Sequence, residues 1–142
     1  AIEASLPRGM EGGRYTQINI SATINKESQP TGQQALLILT TPGTLLIDAE
    51  IVQVNVENEI LLIELYNKGN VHFMLKSMEV SIRNKKTSNL IKKEVIAKNK
   101  LVLPGKERFR YPLSFLEPGI YDVEIKANYD GKSISKIYEY TR

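Results

Sequence analysis

Residues 121–131 read Y-D-V-E-I-K-A-N-Y-D-G. Tyr121, Val123, Ile125, Ala127 and Tyr129 share one parity, and Asp122, Glu124, Lys126 and Asn128 take the other. Alternation of period two puts successive side chains on opposite faces of an extended chain, so this is a strand with one face in a core and one in water. Asp130-Gly131 follows directly. Such a dipeptide accepts the positive φ angles of a two-residue hairpin turn, so the chain is expected to fold back as a final strand, Lys132–Thr141, with Ile134, Tyr138 and Tyr140 in phase.

The same rhythm runs backwards through the chain. Phe109, Tyr111, Leu113 and Phe115 alternate with Arg108, Arg110, Pro112 and Ser114. Pro112 lacks an N–H, which favours an edge or a strand end. Leu90–Ala97 is a strand of mixed pattern, and Leu101–Leu103 leads to a turn at Pro104-Gly105. Val71–Arg83 is a long extended segment whose parity changes: Val71, Phe73 and Leu75 are odd, Met78, Val80 and Ile82 even. A regular strand cannot do this without turning its core face to water, so a β-bulge is expected near Leu75–Ser77. Ile60–Tyr66 carries Leu61, Ile63 and Leu65 inward and Glu64 outward. Ile51–Val56 is expected to place Val52, Val54 and Val56 on one face.

Between two of these strands lies E-L-Y-N-K-G-N-V-H-F, residues 64–73, with His72, the one histidine of the chain. The turn is the informative part. Gly69 permits a positive φ, and Asn67 and Asn70 can satisfy backbone groups. His72 follows the turn on the outward parity, with no serine and acid arranged around it for nucleophilic catalysis.

Seven short strands from about residue 50, divided by turns and without helical periodicity, define an all-β, antiparallel, immunoglobulin-like sandwich. The first part holds fewer signals. Arg14–Asn25 alternates, Lys26–Gln34 is a polar loop with Pro30 and Gly32, Ala35–Thr40 is an apolar strand, Thr41–Thr44 is a turn, and Leu45–Ile47 is a brief extended piece. Two strands alone are marginal in water. The expected division is therefore 1–48, a partial β unit, and 49–142, the sandwich. The partial unit is the end of a preceding domain, packs on the sandwich, or pairs with another copy.

The motifs I-E-L-Y-N-K-G-N-V-H, L-V-L-P-G-K-E and L-E-P-G-I-Y-D-V-E-I-K-A, in this order, resemble bacterial and archaeal immunoglobulin-like domains of cell-envelope proteins, with adhesion modules of the CARDB type and pilus-chaperone-like sandwiches the nearest. The resemblance covers about residues 50–142. It implies that Tyr121 forms a tyrosine corner with a backbone group a few residues upstream, and that apolar Val123 replaces a disulfide cysteine. It also implies an extracellular, cell-surface or periplasmic location.

Composition narrows the chemistry. Cysteine is absent from the 142 residues, which excludes disulfides and thiolate sites. One histidine and no acidic loop argue against a metal centre; Glu57 and Glu59 flank a turn as solvated carboxylates. No catalytic set, metal site or cofactor is expected. No apolar run reaches the ~18 residues of a membrane span. The start, Ala1-Ile2-Glu3-Ala4, has no leader pattern, so the sequence reads as a mature product or an excised segment. Net charge is +3, yet residues 76–110 hold eleven Lys/Arg against three Asp/Glu. Lys85, Lys86, Lys92 and Lys93 surround one hairpin, and Arg108 and Arg110 share a polar face. These six form the candidate binding patch, suited to an anionic cell-wall polymer. Phe109 and Tyr111 fall on the core parity, which removes a stacking platform, so nucleic acid is not expected. The functional expectation is a non-catalytic module for docking, adhesion or spacing. Its partner is a protein, captured by strand addition, or another domain of the same parent protein.

Overall fold

The computed structural model describes residues 13–22, 31–40 and 45–142, with side chains from residue 45 onward. The chain divides into two units, Ala1–Leu46 and Ile47–Arg142. The described part of the first is an antiparallel pair, β1 (Gly13–Ala22) and β2 (Thr31–Thr40), in unbroken register from Gly13↔Thr40 to Ala22↔Thr31. The polar loop is shorter than expected, because Gly32, Gln33 and Gln34 already pair within β2. The turn at Thr41–Thr44 and the extension of β1 to Asn25 lie outside the described residues. Leu45–Ile47 joins no strand.

The second unit has seven antiparallel strands in two sheets. The first sheet is β3 (Ala49–Glu57), β4 (Ile60–Asn67) and β7 (Gly105–Pro112), ordered β3-β4-β7. The second is β5 (Phe73–Asn84), β6 (Leu90–Val102), β8 (Ile120–Tyr129) and β9 (Lys132–Thr141), ordered β6-β5-β8-β9. Three hairpins, β3–β4, β5–β6 and β8–β9, stay within a sheet, and the chain changes sheet between them. Two hairpins close with two-residue turns: Asn58 and Glu59 have φ of 50° and 62°, Asp130 and Gly131 of 45° and 68°. Paired positive angles give the turn whose twist matches the right-handed twist of strands.

The core forms from the inward parity of both sheets: Leu61, Ile63 and Leu65 of β4, Val80 and Ile82 of β5, Val123, Ile125 and Ala127 of β8, each at most 1% exposed. Burying a large aliphatic side chain contributes roughly 1.5–3 kcal/mol, so this layer supplies most of the drive to fold. Val123 packs here with no exposed surface. Tyr121 donates its hydroxyl to the Glu117 carbonyl, four residues upstream, at 2.6 Å. That bond ties the β7–β8 crossover to the start of β8. Tyr121→Phe removes it while keeping the ring, and is expected to lower stability by about 1 kcal/mol, read as a shift of the urea midpoint at constant slope.

The parity change in β5 is a bulge at Lys76. Leu75 faces Tyr129 and Ser77 faces Asn128, so Lys76 is the extra residue. With Lys76 removed, Phe73, Leu75, Met78, Val80 and Ile82 would fall on one face. Deleting Lys76 is therefore expected to leave the β5–β8 ladder and the fold intact, whereas deleting Val80 turns Ile82 to water and unfolds the sandwich. Thermal melts of the two deletions compare these outcomes directly.

Other expectations are corrected in the second unit. Val52 is not on the core face with Val54 and Val56. A register shift between Ile51 and Gln53 makes Val52 the extra residue, and Ile51 is the buried one, at 6% exposure. Leu90–Ala97 and Leu101–Leu103 are not separate pieces, since β6 runs without a break from Leu90 to Val102. Its register shifts, between Met78/Glu79 and Ile82/Arg83 of β5, scramble its alternation. Phe115 does not continue the core face: β7 ends at Pro112, and Phe115 lies 44% exposed with its ring edge-on to Tyr111. Gly69 is not among the residues with positive φ. Its role is to donate its N–H to Asn67 Oδ1 at 3.0 Å.

Candidate functional site

Asn67 ends β4 where the chain leaves the first sheet. Its side chain is 1% exposed and its Nδ2 donates to Val71 O at 3.0 Å and Val102 O at 3.3 Å. With the bond from Gly69, one amide fixes the β4–β5 corner and joins it to the end of β6. Lys68 N also donates to Asp48 O at 2.9 Å, anchoring the corner to the entry of β3. Asn70 lies half-buried in the same corner. The turn residues found in the sequence thus act as structure. His72 follows, half-buried, beside a shallow groove with Ile47, Phe73, Met74, Leu101 and Asp130. No group of three metal-ligating side chains exists among the described residues.

The six basic residues do not form one patch. Lys85 and Lys86 occupy the β5–β6 turn, where Lys85 pairs with Glu139 of β9. Lys92 stands opposite inward-facing Ile82 and Lys93 opposite Ser81, so the two point to opposite faces of β6. Lys92 pairs with Glu94 at 3.4 Å and lies 4.8 Å from the centre of the Phe115 ring; Lys93 reaches Glu79 at 4.0 Å. Arg108 and Arg110 lie on the other sheet, on β7. The sequence clustered them because the chain passes through both edges in succession. Alternation within one strand says nothing of which sheet the next strand joins.

Other polar contacts close the side of the sandwich where β6 and β7 come together. Lys100 pairs with Glu107 at 2.8 Å, 5.5 Å from the Phe109 ring centre. The Tyr111 hydroxyl donates to Glu94 Oε2 at 2.8 Å. Burial, and then the neighbouring carboxylate, push the Tyr111 pKa up to about 12, while that bond holds Glu94 below its ordinary value.

The sequence reading missed Glu64 as a site residue. It stands mid-strand in β4 on the outer face, yet only 7% exposed. Its cover comes from β7: Lys106 Nζ lies 3.0 Å from Oε1, and Arg108 Nε donates to Oε2 at 3.2 Å. A hydrogen bond from Lys106, and then one from Arg108, lower its pKa against the opposing cost of burial. Folding therefore stabilises the charged form. That contribution is complete above the ordinary value of 4.5 and is lost as pH falls below it, through the lower folded value. Glu64→Gln is expected to flatten the acid limb of stability below the ordinary value of 4.5, measured by urea unfolding at each pH. Around Glu64 a shallow groove of about 320 Å³ is bordered by Gln53, Asn55, Leu62, Arg108 and Arg110.

The remaining candidate is backbone. Four strands of the second unit are edges of its two sheets: β3, β7, β6 and β9. A free edge presents a row of N–H and C=O groups that invites another strand, and proteins obstruct such rows with bulges, proline and charge. β3 has the bulge at Val52, and two lysines of β9 reach across to carbonyls of this segment, joining the two edges: Lys132 Nζ donates to Ile47 O at 3.3 Å, Lys136 Nζ to Ile51 O at 3.4 Å. β7 ends in Pro112, and β6 has two register shifts and four lysines. β9 pairs with β8 over ten residues without a shift and contains no proline. Ile137 on it is 67% exposed, the most exposed large hydrophobic residue among those described. Arg142 and Gly119 exchange both backbone bonds, so by ladder alternation the even residues of β9 bond to β8. Ser133, Ser135, Ile137, Glu139 and Thr141 direct their backbone groups outward.

No protein-family model matches this chain, and no curated protein matches it. No helix among the described residues is long and apolar enough to cross a membrane.

Proposed function

We propose that this protein is a non-catalytic docking module of the cell exterior that captures an extended segment of a protein partner, by strand addition along β9. The observation that carries this is the outward row of backbone groups on β9 beside exposed Ile137, in a strand without proline or register shift, whereas the other three edges of the second unit are broken by a bulge, by register shifts or by Pro112. An incoming strand gains main-chain hydrogen bonds from the row, and alternate side chains supply specificity. The location rests on the resemblance to envelope domains.

The test exploits the ladder. Proline at Ser135 removes an N–H that points away from β8, so the β8–β9 pairing survives while the free row is broken. Extended peptides selected from a display library on the wild-type chain are expected to lose binding to Ser135→Pro and keep it on Lys93→Ala. Selected peptides that bind Ser135→Pro as well as wild type would overturn the reading. A second reading, retention of an anionic wall polymer by the β5–β6 hairpin, draws on the same lysines that already face Glu139, Glu94 and Glu79. It predicts salt-sensitive binding of teichoic acid, abolished when Lys85, Lys86, Lys92 and Lys93 become Glu.

A further inference from the structure

The outer face of the β3-β4-β7 sheet carries an arrangement that strand addition at β9 does not use. Lys106, Arg108 and Arg110 alternate along β7 and project to this face, since Phe109 and Tyr111 between and beyond them are buried. Their only acidic neighbour across the strand pair is Glu64, directly opposite Arg108 in the β4–β7 register. Glu57 and Glu50, the other acids of this face, are two strands away on β3, where Glu57 accepts from Asn55 Nδ2 at 2.9 Å and Glu50 pairs with Lys68 at 3.2 Å. Lys106 and Arg108 thus share one carboxylate while Arg110 stands opposite Leu62, and the column keeps an excess of two positive charges.

Glu64 does more than neutralise. Its carboxylate is held on the floor of the sheet and grips Arg108 through Nε, yet the Arg108 side chain is 83% exposed. With Nε held by Glu64, the two Nη groups of Arg108 remain for a ligand, and Arg108 borders the groove. This geometry suits a carboxylate, which arginine binds through two parallel bonds. Arg110 stands two residues on, roughly 7 Å along the strand. Alternate side chains of any extended peptide have that same spacing. Leu62 lies between the columns, and Gln53 and Asn55 border the far side with amide donors and acceptors.

We propose that this face binds an extended acidic peptide laid along β7, with carboxylates on alternate residues seated on Arg108 and Arg110, and Glu64 as the positioning residue for Arg108. The site is on the opposite sheet from β9, so it stands or falls independently of the edge.

Fluorescence anisotropy of a labelled Thr-Glu-Thr-Glu-Thr peptide against the full chain tests this, with a Glu-Glu-Thr-Thr-Thr peptide of equal charge as comparison. The alternating peptide is expected to bind more tightly, and Arg108→Ala and Arg110→Ala each to weaken it at least fivefold. Arg108→Lys keeps the charge but not the fork, and is expected to recover only part of the loss. Glu64→Gln is the sharpest variant. It raises the net positive charge, so attraction by charge alone predicts tighter binding, whereas loss of Arg108 positioning predicts weaker binding. Equal affinity for the two peptides, retention by both alanine variants, or tightening by Glu64→Gln would overturn the proposal. Inorganic polyphosphate binding in place of the peptide would reassign the face to phosphate and also overturn it. Ser135→Pro is expected to leave the peptide affinity unchanged.

Discussion

Replacing Ile125 with alanine is expected to lower the unfolding free energy by about 2–5 kcal/mol. Ile125 has no exposed surface and sits in β8, an inner strand of the four-stranded sheet, opposite Val80 on one side and Lys136 on the other. Three carbon atoms would be lost from a layer that the first sheet covers from above. The backbone there is bonded on both sides and cannot close the gap. The residual cavity adds to the lost transfer energy, and the total is a large part of the 5–15 kcal/mol by which domains are commonly stable. Urea unfolding followed by circular dichroism should show a lower midpoint with an unchanged slope. Ile137→Ala in β9 is the matched control. Its side chain is already in water, so the same chemical change should shift the midpoint little.

Asn67→Leu is expected to be nearly as costly, for the opposite physical reason. Leucine fills the same space and is more apolar, so a pure burial argument predicts stabilisation. But Asn67 Nδ2 is the partner of two buried carbonyls, Val71 O and Val102 O, and Oδ1 accepts from Gly69. Leaving buried acceptors without a donor costs roughly 1–3 kcal/mol each, so about 3 kcal/mol in total is expected. The loss should be concentrated at the β4–β5 corner. Faster amide exchange of Gly69 and of the first residues of β5 would locate it there. A variant as stable as wild type would show that the corner holds itself together without the amide.

The sandwich was legible wherever alternation had something to alternate with. β8 reads clearly because each inward Tyr, Val, Ile or Ala is followed by a polar residue. The Lys76 bulge reads because apolar positions change parity across it. The Val52 bulge does not, because Ile51 and Val52 are both apolar and either could be the core residue. β6 reads as two weak pieces for a related reason. It is an edge strand whose faces are largely in water, so burial imposes little pattern on Lys92, Lys93, Glu94 and Lys98. Phe115 kept the rhythm of β7 in sequence after Pro112 had ended the strand in space. The site was less legible than the fold. Glu64 looks like an ordinary outward residue until β7 is placed beside β4. Only then do Lys106 and Arg108, more than forty positions away, become its neighbours. The six basic residues failed as one patch for the same reason in reverse: nearness in sequence put Lys92 and Arg108 together, and the change of sheet between β6 and β7 parted them. The open edge of β9 follows from sheet order, which turns and parity do not specify.

The open edge can be read residue by residue in the isolated chain, without any partner in hand. Hydrogen exchange of the β9 amides, resolved by NMR, should alternate. Ile134, Lys136, Tyr138 and Tyr140, bonded to β8, should be slow, and Ser133, Ser135, Ile137, Glu139 and Thr141 should exchange fast. Adding a peptide selected on the wild-type chain should slow the second set and leave the first as it was. Protection of Ser135, Ile137 and Glu139 in the isolated monomeric chain would mean that the edge is already covered, and strand addition along β9 would be contradicted.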